Sequence, residues 1–122
     1  MPQAHEIIFA RNFQVCLGFI PIKFHRLIRD AITERLPFTP TLETRNRKPL
    51  DPEIYGATWE LRCGPQNRYR VLYDVIQLEH GENSPENNND PGEVHVLLIG
   101  EKIGERLIIA GRVVNNETDL NF

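Results

Sequence analysis

The sequence has no apolar run of roughly 18 residues or more, the length that a membrane-spanning helix requires. Its N-terminus is polar and carries an early acidic residue, so it does not look like a secretory signal peptide. It has only two cysteines, Cys16 and Cys63, with no short spacing between them and no adjacent histidine pair. We therefore expect a cytoplasmic protein with two buried free thiols, a single disulfide being the alternative.

Cofactor and metal motifs are also missing. No Walker loop, dinucleotide-binding fingerprint or GxSxG motif occurs. The four histidines have no metal-ligand spacing to one another or to the cysteines, and His95 alternates within an apolar run, as structural histidines do. The sequence therefore predicts no metal ion and no cofactor.

The chain is not basic overall, because its 14 basic and 17 acidic residues give a net charge of −3. The acids are concentrated, however: residues 76–93 contain five acids and no Lys or Arg. Outside that segment the chain has 14 basic and 12 acidic residues, a net charge of +2. Residues 45–73 alone have six basic and three acidic residues. A polyanionic partner is therefore indicated locally and not by the total charge.

The length of 122 residues corresponds to one domain, since domains typically have about 100–150 residues. We predict a single domain over residues 1–114 and a polar C-terminal tail over residues 115–122. Residues 76–93 are acidic, rich in asparagine and poor in apolar side chains after residue 78. Such a segment cannot bury itself, so we predict a flexible acidic insert there.

Apolar periodicity predicts the N-terminal elements. Residues 5–10 form a short apolar run typical of a strand, and residues 13–20 a short helix. Residues 22–36 have apolar side chains at helical spacing between two prolines, which predicts a longer helix. Residues 37–56 contain four prolines and a basic cluster, so we predict a loop with at most one helical turn near Pro52.

Alternation predicts the strands. Residues 58–63 and 68–75 alternate around a turn at residues 64–67, which is typical of a hairpin. Residues 94–99 are nearly all apolar and predict a central strand, followed by a turn at 100–104 and a short strand at 107–110. The predicted fold class is α+β, in the order β-α-α-β-β-β. It is a small antiparallel-rich sheet with two N-terminal helices packed on one face and the acidic loop before the central last strand.

The hairpin register has a consequence for charge. Burying the alternating apolar residues of both strands on one face sets Arg62 opposite Arg70 on the other face. Like charges directly across a sheet are destabilising, so the two guanidinium groups require an anion between them. That anion is either a protein carboxylate, with Glu60 and Asp74 on the same face, or a phosphate, which the planar arginine fork suits. The full register pairs Trp59 with Tyr73, Leu61 with Val71 and Arg62 with Arg70.

Further basic residues could join this face. Arg45, Arg47 and Lys48 precede the hairpin, where such clusters are usually only solvated but can also contact a nucleic-acid backbone. Lys102 follows the central strand and would approach the same face if that strand pairs beside residues 68–75. A metal-free site of arginine and lysine indicates electrostatic phosphoryl-transfer chemistry.

The chain resembles the RelE/ParE toxin superfamily of bacterial toxin–antitoxin modules, most closely its RelE-like branch. The order and spacing agree from about residue 7 to residue 111. The segments that carry the resemblance are RKPL at 47–50, WELRCG at 59–64, RYRVLY at 68–73 and IGEK at 99–102.

This resemblance implies a metal-independent endoribonuclease that cleaves mRNA in the ribosomal A site and inhibits translation. The ribose 2′-hydroxyl would attack the adjacent phosphate and give a cyclic phosphate. The implied partners are an antitoxin protein, mRNA and the ribosome. Two alternatives stay open: a ParE-like, non-catalytic inhibitor of DNA gyrase, and an inactive toxin that serves as an antitoxin-binding module.

The resemblance also implies roles for individual residues. Arg70 matches the phosphate-binding arginine, Lys48 stands where some members hold a general base, and Lys102 is near a basic residue that stabilises transition-state charge or protonates the leaving group. Glu60 replaces an expected lysine and is a second candidate base, with Arg62 beside it. The predicted RNA-binding residues are Arg45, Arg47, Arg68 and Tyr73.

Overall fold

The computed structural model describes residues 4–77 and 92–114. They form an α+β architecture in which two α-helices accompany a curled, largely antiparallel sheet. The strands are β1 (Glu6–Phe9), β2 (Arg47–Ile54), β3 (Ala57–Cys63), β4 (Tyr69–Ile76), β5 (Glu93–Ile103), β6 (Arg106–Ile109) and β7 (Arg112–Val113). The helices are α1 (Arg11–Leu17) and α2 (His25–Arg35), with short 3₁₀ turns at Ile22–Phe24 and Pro65–Asn67.

The sheet has the strand order β2-β3-β4-β5-β6-β7, and β1 also pairs with β5. The β1–β5 pair is parallel, whereas the other neighbours are antiparallel. Strand β5 is long enough to pair with β1 along its first half and with β6 along its second half. The predicted antiparallel-rich sheet is therefore confirmed, with β5 at its centre.

The two faces of the sheet have different roles. The face that we call the helix face carries Leu61, Val71 and Tyr73, all without exposed surface. Both helices contribute to the same buried core, α1 through Phe13 and Cys16 and α2 through Ile28 and Ile32. The opposite face, which we call the arginine face, carries Glu60, Arg62 and Arg70. The two predicted helices are thus confirmed, although α1 covers Arg11–Leu17 where residues 13–20 were predicted.

The predicted hairpin register is also confirmed. Trp59 pairs with Tyr73, Leu61 with Val71 and Arg62 with Arg70. Trp59 is only partly buried, and its indole stacks on the Tyr73 ring with 6.5 Å between centroids. The predicted helix at residues 22–36 differs in two respects. It begins as a 3₁₀ turn before α2, and Leu27, one of the apolar side chains at helical spacing, is 45% exposed.

The prediction of a loop over residues 37–56 is wrong at its C-terminal end, because β2 occupies Arg47–Ile54. Prolines cannot donate a ladder hydrogen bond, but they are tolerated on an edge strand, and β2 is the edge. Its pairing with β3 shifts register between Pro49 and Ile54. Tyr55 and Gly56 both have positive φ, the geometry that tight two-residue hairpin turns require.

The predicted turn at residues 100–104 is wrong as well, because β5 continues through Ile103 and the turn falls at Gly104 and Glu105. Gly100 lies inside the strand. A Cβ at that position would lie 2.7 Å from the Ile108 main-chain oxygen, so the glycine permits a close approach of β6.

The predicted acidic insert falls mostly on residues 78–91, and the predicted tail on 115–122, outside the described residues. Among the helices that the structure describes, none combines the length and apolar character needed to cross a membrane.

Candidate functional site: an arginine–glutamate cluster beside a cleft

The predicted arginine pair is present on the arginine face and is bridged by a carboxylate. The Glu60 oxygens accept from Arg70 Nη1 at 3.1 Å and from Arg62 Nη2 at 3.3 Å. The side chains of Glu60 and Arg70 are mostly buried, with 12% and 16% of their surface exposed, whereas that of Arg62 is 32% exposed. Of the two anions that the sequence left open, the protein carboxylate therefore occupies the space between the guanidinium groups.

The two guanidinium groups keep unused donors. Arg70 Nε donates to the main-chain oxygen of Asn67 at 3.2 Å, which fixes the orientation of the fork. Within residues 4–77 and 92–114, no acceptor contacts Arg70 Nη2 or Arg62 Nη1, and the buried Arg62 Nε has no partner. Because a guanidinium has five N–H donors, both arginines keep N–H groups that no acceptor in the described residues uses while they hold Glu60.

Lys102 joins this face, as predicted, because β5 pairs beside β4. Gly100 lies opposite Arg70, and Lys102 lies two residues further along β5, so both have the same orientation. The main-chain N–H of Lys102 donates to the Arg68 carbonyl at 2.8 Å. The ammonium of Lys102 and the guanidinium of Arg70 thus line the same cleft.

Lys48 is directly opposite Glu60 in the β2–β3 ladder. Its Nζ lies 3.4 Å from a carboxylate oxygen of Glu43, and the side chain is 35% exposed. Lys48 therefore adds positive charge at the border of the cluster, but its closest anionic contact points away from Glu60.

The arginine face curls around a cleft of about 750 Å³, a volume typical of small-molecule sites. Glu60, Arg70 and Lys102 form part of its wall. Apolar side chains form another part and include Leu50, Leu72 and Leu107. Sequence reasoning missed this cleft, because its lining comes from β2, β3, β4, β5 and β6, which only the strand order brings together. One feature of the sequence could have indicated the cleft: Leu72 is apolar, although it belongs to the otherwise polar face of β4.

Two of the predicted RNA contacts are not on this face. Tyr73 has no exposed surface, and its hydroxyl donates to the main-chain oxygen of Pro40 at 2.6 Å, so its prediction as an RNA-binding residue is wrong. Arg47 lies on the helix side, where its Nη1 donates to the Arg35 carbonyl and the Thr39 hydroxyl, both at 2.8 Å. The structure therefore gives Arg47 a role in holding the segment after α2.

The other two predicted RNA contacts are accessible. Arg45 is exposed, immediately before β2. Arg68 precedes β4, and its Nε lies 3.6 Å from a Glu101 carboxylate oxygen. Both cations can reach a polyanion at the end of the sheet that carries the arginine pair.

A second polar row crosses the arginine face. Thr58 lies opposite Asp74, and its hydroxyl donates to that carboxylate at 2.5 Å. Asp74 lies opposite His95, whose Nε2 lies 3.1 Å from a Glu93 carboxylate oxygen. Asp74 is thus engaged by Thr58 and does not bridge the arginines, although sequence reasoning had considered it for that position.

The thiols are buried and suited to packing. Burial raises the pKa of Cys63 to about 11 and also raises the pKa of Cys16. Both are free cysteines, as predicted. In the part of the chain that the structure describes, no group of three or more His, Cys, Asp or Glu side chains is arranged to hold a metal ion.

Comparison with protein-family models, curated proteins and solved structures gives no match to this chain. Function therefore has to be inferred from the chemistry of the site. The arginine–glutamate cluster, with Lys102 beside it, is the candidate site, because guanidinium and ammonium groups are the usual partners of carboxylate and phosphate oxygens.

Proposed function

We propose that this protein is a toxin of the RelE type: a metal-independent endoribonuclease that cleaves mRNA in the ribosomal A site and is neutralised by an antitoxin. The observation that carries the proposal is the Arg62–Glu60–Arg70 cluster, in which a carboxylate lies between two guanidinium groups that retain unused donors. The α+β architecture, in which one strand and two helices precede a largely antiparallel sheet, also supports the proposal.

The chemistry requires a proton acceptor beside a cationic phosphate site. The ribose 2′-oxygen forms a bond to the adjacent phosphorus while the bond from phosphorus to the 5′-oxygen breaks. The proton of the 2′-hydroxyl passes to a general base, and the 5′-oxygen receives a proton from a general acid. The products are a 2′,3′-cyclic phosphate and a 5′-hydroxyl end, and no water or metal ion enters the balance.

We assign the general base to Glu60 in preference to Lys48. An ionised carboxylate only accepts hydrogen bonds, and Glu60 is held by both arginines, beside the remaining N–H groups to which a phosphate would bind. Lys48 contacts Glu43 and adds charge at the border. The proton acceptor and the phosphate-binding donors are therefore adjacent, as acid–base catalysis requires.

The positive groups have complementary tasks. Arg62 and Arg70 hold the non-bridging phosphate oxygens through their remaining N–H groups, which stabilises the charge that grows in the transition state. Lys102 stabilises that charge or protonates the leaving 5′-oxygen from the cleft side. Arg45 and Arg68 bind the flanking RNA backbone without reading sequence.

The test compares Arg70→Ala with Arg26→Ala. Arg26 is on α2, and its side chain is 95% exposed, so its replacement is a matched loss of one guanidinium outside the site. Removing one transition-state donor typically lowers the rate by about 10²–10³-fold. We expect this loss in Arg70→Ala when mRNA cleavage on ribosomes is measured with the purified protein, and no loss in Arg26→Ala. Thermal unfolding of both variants checks that they are folded.

Induction in cells with mapping of transcript ends gives the complementary result. Wild-type protein should arrest growth and produce cleaved mRNA within codons, and Arg70→Ala should do neither. If Arg70→Ala still arrests growth with full A-site cleavage, the proposed mechanism is wrong. If growth stops while transcripts stay intact and DNA damage signalling appears, inhibition of gyrase is the better explanation.

A further inference from the structure

The cleft beside the arginine cluster has a charge that does not suit a second phosphate. Its lining contains four carboxylates and two cations, Arg70 and Lys102. Glu60 is paired with the arginines, but the other three carboxylates form no ion pair within the described part of the chain. These three are Asp51, Glu53 and Glu105. A phosphate would be repelled here, whereas a neutral group that offers N–H donors would be attracted.

The floor of the cleft is apolar. Leu72 is 1% exposed, and Leu50 and Leu107 are partly buried beside it. Flat apolar surfaces flanked by a few polar groups are the usual environment of an unstacked nucleobase, which packs on side chains and is read along its hydrogen-bonding edge. The cleft therefore combines a surface for a planar ring with acceptors for its edge.

We propose that this cleft binds a nucleobase next to the phosphate held by Arg62 and Arg70, and that it prefers a base with an exocyclic amino group over uracil. The inference rests on the proposed function and adds the substrate preference of the same site. Cytosine, adenine and guanine each offer an amino group to a carboxylate, as in the pairing of Glu or Asp with cytosine N4. Uracil has a carbonyl oxygen at the same ring position as the cytosine amino group, and a carboxylate repels it.

The position of the cleft supports the binding of a base in the cleft and of the phosphate on the arginines. Arg70 and Glu60 belong both to the cluster and to the wall of the cleft, so a nucleotide with its phosphate on the arginines has the cleft within reach of its base. Lys102 lies two residues along β5 from the partner of Arg70 and also lines the cleft, so it keeps its proposed contact with the phosphate or the leaving oxygen. The substrate is therefore single-stranded RNA with one base withdrawn from its stack.

Cytidine and uridine 3′-monophosphates provide matched probes, because they have the same size and phosphate and differ at one exocyclic group. Binding would be followed by titration calorimetry and by the methyl NMR signals of Leu72 and Leu107. We expect cytidine 3′-monophosphate to bind about tenfold more tightly, since a hydrogen bond to a charged group is of that order. Equal binding of both nucleotides, or no change in the cleft methyl signals, would overturn the proposal.

A charge-neutralising variant identifies the residues that discriminate. Asp51→Asn, Glu53→Gln and Glu105→Gln together replace three exposed carboxylates by amides of the same shape. The control replaces three other exposed acids in the same way: Glu6→Gln, Asp30→Asn and Glu34→Gln. We expect the preference for cytidine to disappear only in the cleft variant. A preference that persists in the cleft variant assigns the discrimination elsewhere and contradicts the proposal.

A failure of the nucleobase site can be distinguished from a failure of the proposed RNase function. If cleavage depends on Arg70 but shows no base preference at the cut site, the RNase assignment stands and the nucleobase site is wrong. If the nucleotides bind as expected but no RNA is cleaved, the cleft is a nucleotide site and the RNase assignment is wrong. A peptide segment that shifts the cleft methyl signals, in a protein whose cleft ignores both nucleotides, would assign the cleft to a protein partner and overturn the inference.

Discussion

Replacing Glu60 by glutamine should destabilise the fold, because it leaves Arg62 and Arg70 facing each other without a counter-charge. The two arginines are direct neighbours across the β3–β4 ladder. Glutamine keeps the size of the side chain but has one acceptor oxygen where the carboxylate has two, so the change removes the charge and one of the two hydrogen bonds to the arginines. The variant therefore measures that lost bond together with the repulsion that the carboxylate normally offsets.

The burial of the pair sets the magnitude. An exposed ion pair contributes about 0–1 kcal/mol, and breaking a fully buried one costs about 3–5 kcal/mol. The Glu60–Arg70 contact is mostly buried at 12% and 16% exposure, whereas Arg62 is 32% exposed and screened by solvent. We therefore expect a loss of about 2 kcal/mol from Glu60→Gln, or a melting temperature lower by roughly 6–10 °C.

Thermal unfolding followed by circular dichroism measures this loss. The control is Glu43→Gln, which removes the other carboxylate next to the cluster, at 59% exposure and 3.4 Å from Lys48. That change should cost less than about 1 kcal/mol because the contact is solvent-screened. A large difference between the two variants shows that the arginine pair, and not the general loss of a negative charge, is responsible.

Added anions sharpen the test. If Arg62 and Arg70 require an anion, phosphate should stabilise Glu60→Gln more than the wild type, because the carboxylate no longer competes for the guanidinium groups. A ligand at one hundred times its Kd adds about 2.7 kcal/mol, enough to offset the expected loss. The reasoning is refuted if Glu60→Gln melts like Glu43→Gln and phosphate acts equally on all three proteins at matched ionic strength.

Three further results are expected. Gly64→Ala should lower the free energy of unfolding in urea by about 2–4 kcal/mol, because the new Cβ would lie 2.5 Å from the Tyr69 ring and the residue has a φ of +83°. Gly104→Ala, with a φ of +60° but open space around it, should cost about 1 kcal/mol. Burial raises the pKa of the Cys63 thiol from 9.0 to about 11. Its contribution to the free energy of unfolding is therefore full below about pH 9 and falls by about 1.4 kcal/mol per pH unit from pH 9 toward pH 11. When the free energy of unfolding is measured against pH, Cys63→Ala should show a smaller fall over that range. Tyr73→Phe should cost about 1–2 kcal/mol through its buried hydroxyl bond, with RNA cleavage unchanged in the same assay as wild type.

The β3–β4 hairpin shows how far local pattern reaches. The alternating residues 58–63 and 68–75 on either side of a turn have one register that buries the tyrosines and the leucine together, and that register also fixes Arg62 opposite Arg70. The prediction succeeded because both the hydrophobic pattern and the turn are local in sequence. The identity of the bridging anion could not be predicted from local sequence, because Glu60 and Asp74 both lie on the face of the arginines. In the structure, the Thr58 hydroxyl donates to Asp74, and Glu60 is the bridging carboxylate.

The errors have a common physical cause. The prolines of β2 and Gly100 of β5 are turn signals in isolation, but each has a different reason to lie in a strand. Pro49 and Pro52 are tolerated because β2 is an edge, and Gly100 is needed because β6 approaches closely. Both reasons depend on the neighbours of the strand, which sequence pattern does not specify. The cleft was missed for the same reason, because it exists only after β2 and β6 take their places.

The alternation of β3 and β4 joins stability and chemistry in one constraint. A slip of one residue in β3 would bury Glu60 against the helices and expose Leu61, and the same slip in β4 would bury Arg70 and expose Val71. The buried charges would then lack solvent, and the core would lose its largest contacts, so both costs act against the same error. In the native register the two arginines repel each other, and the Glu60 carboxylate between them offsets that repulsion. A core that fixes two guanidinium groups side by side therefore requires an anion on the opposite face of the sheet, and Glu60 supplies it.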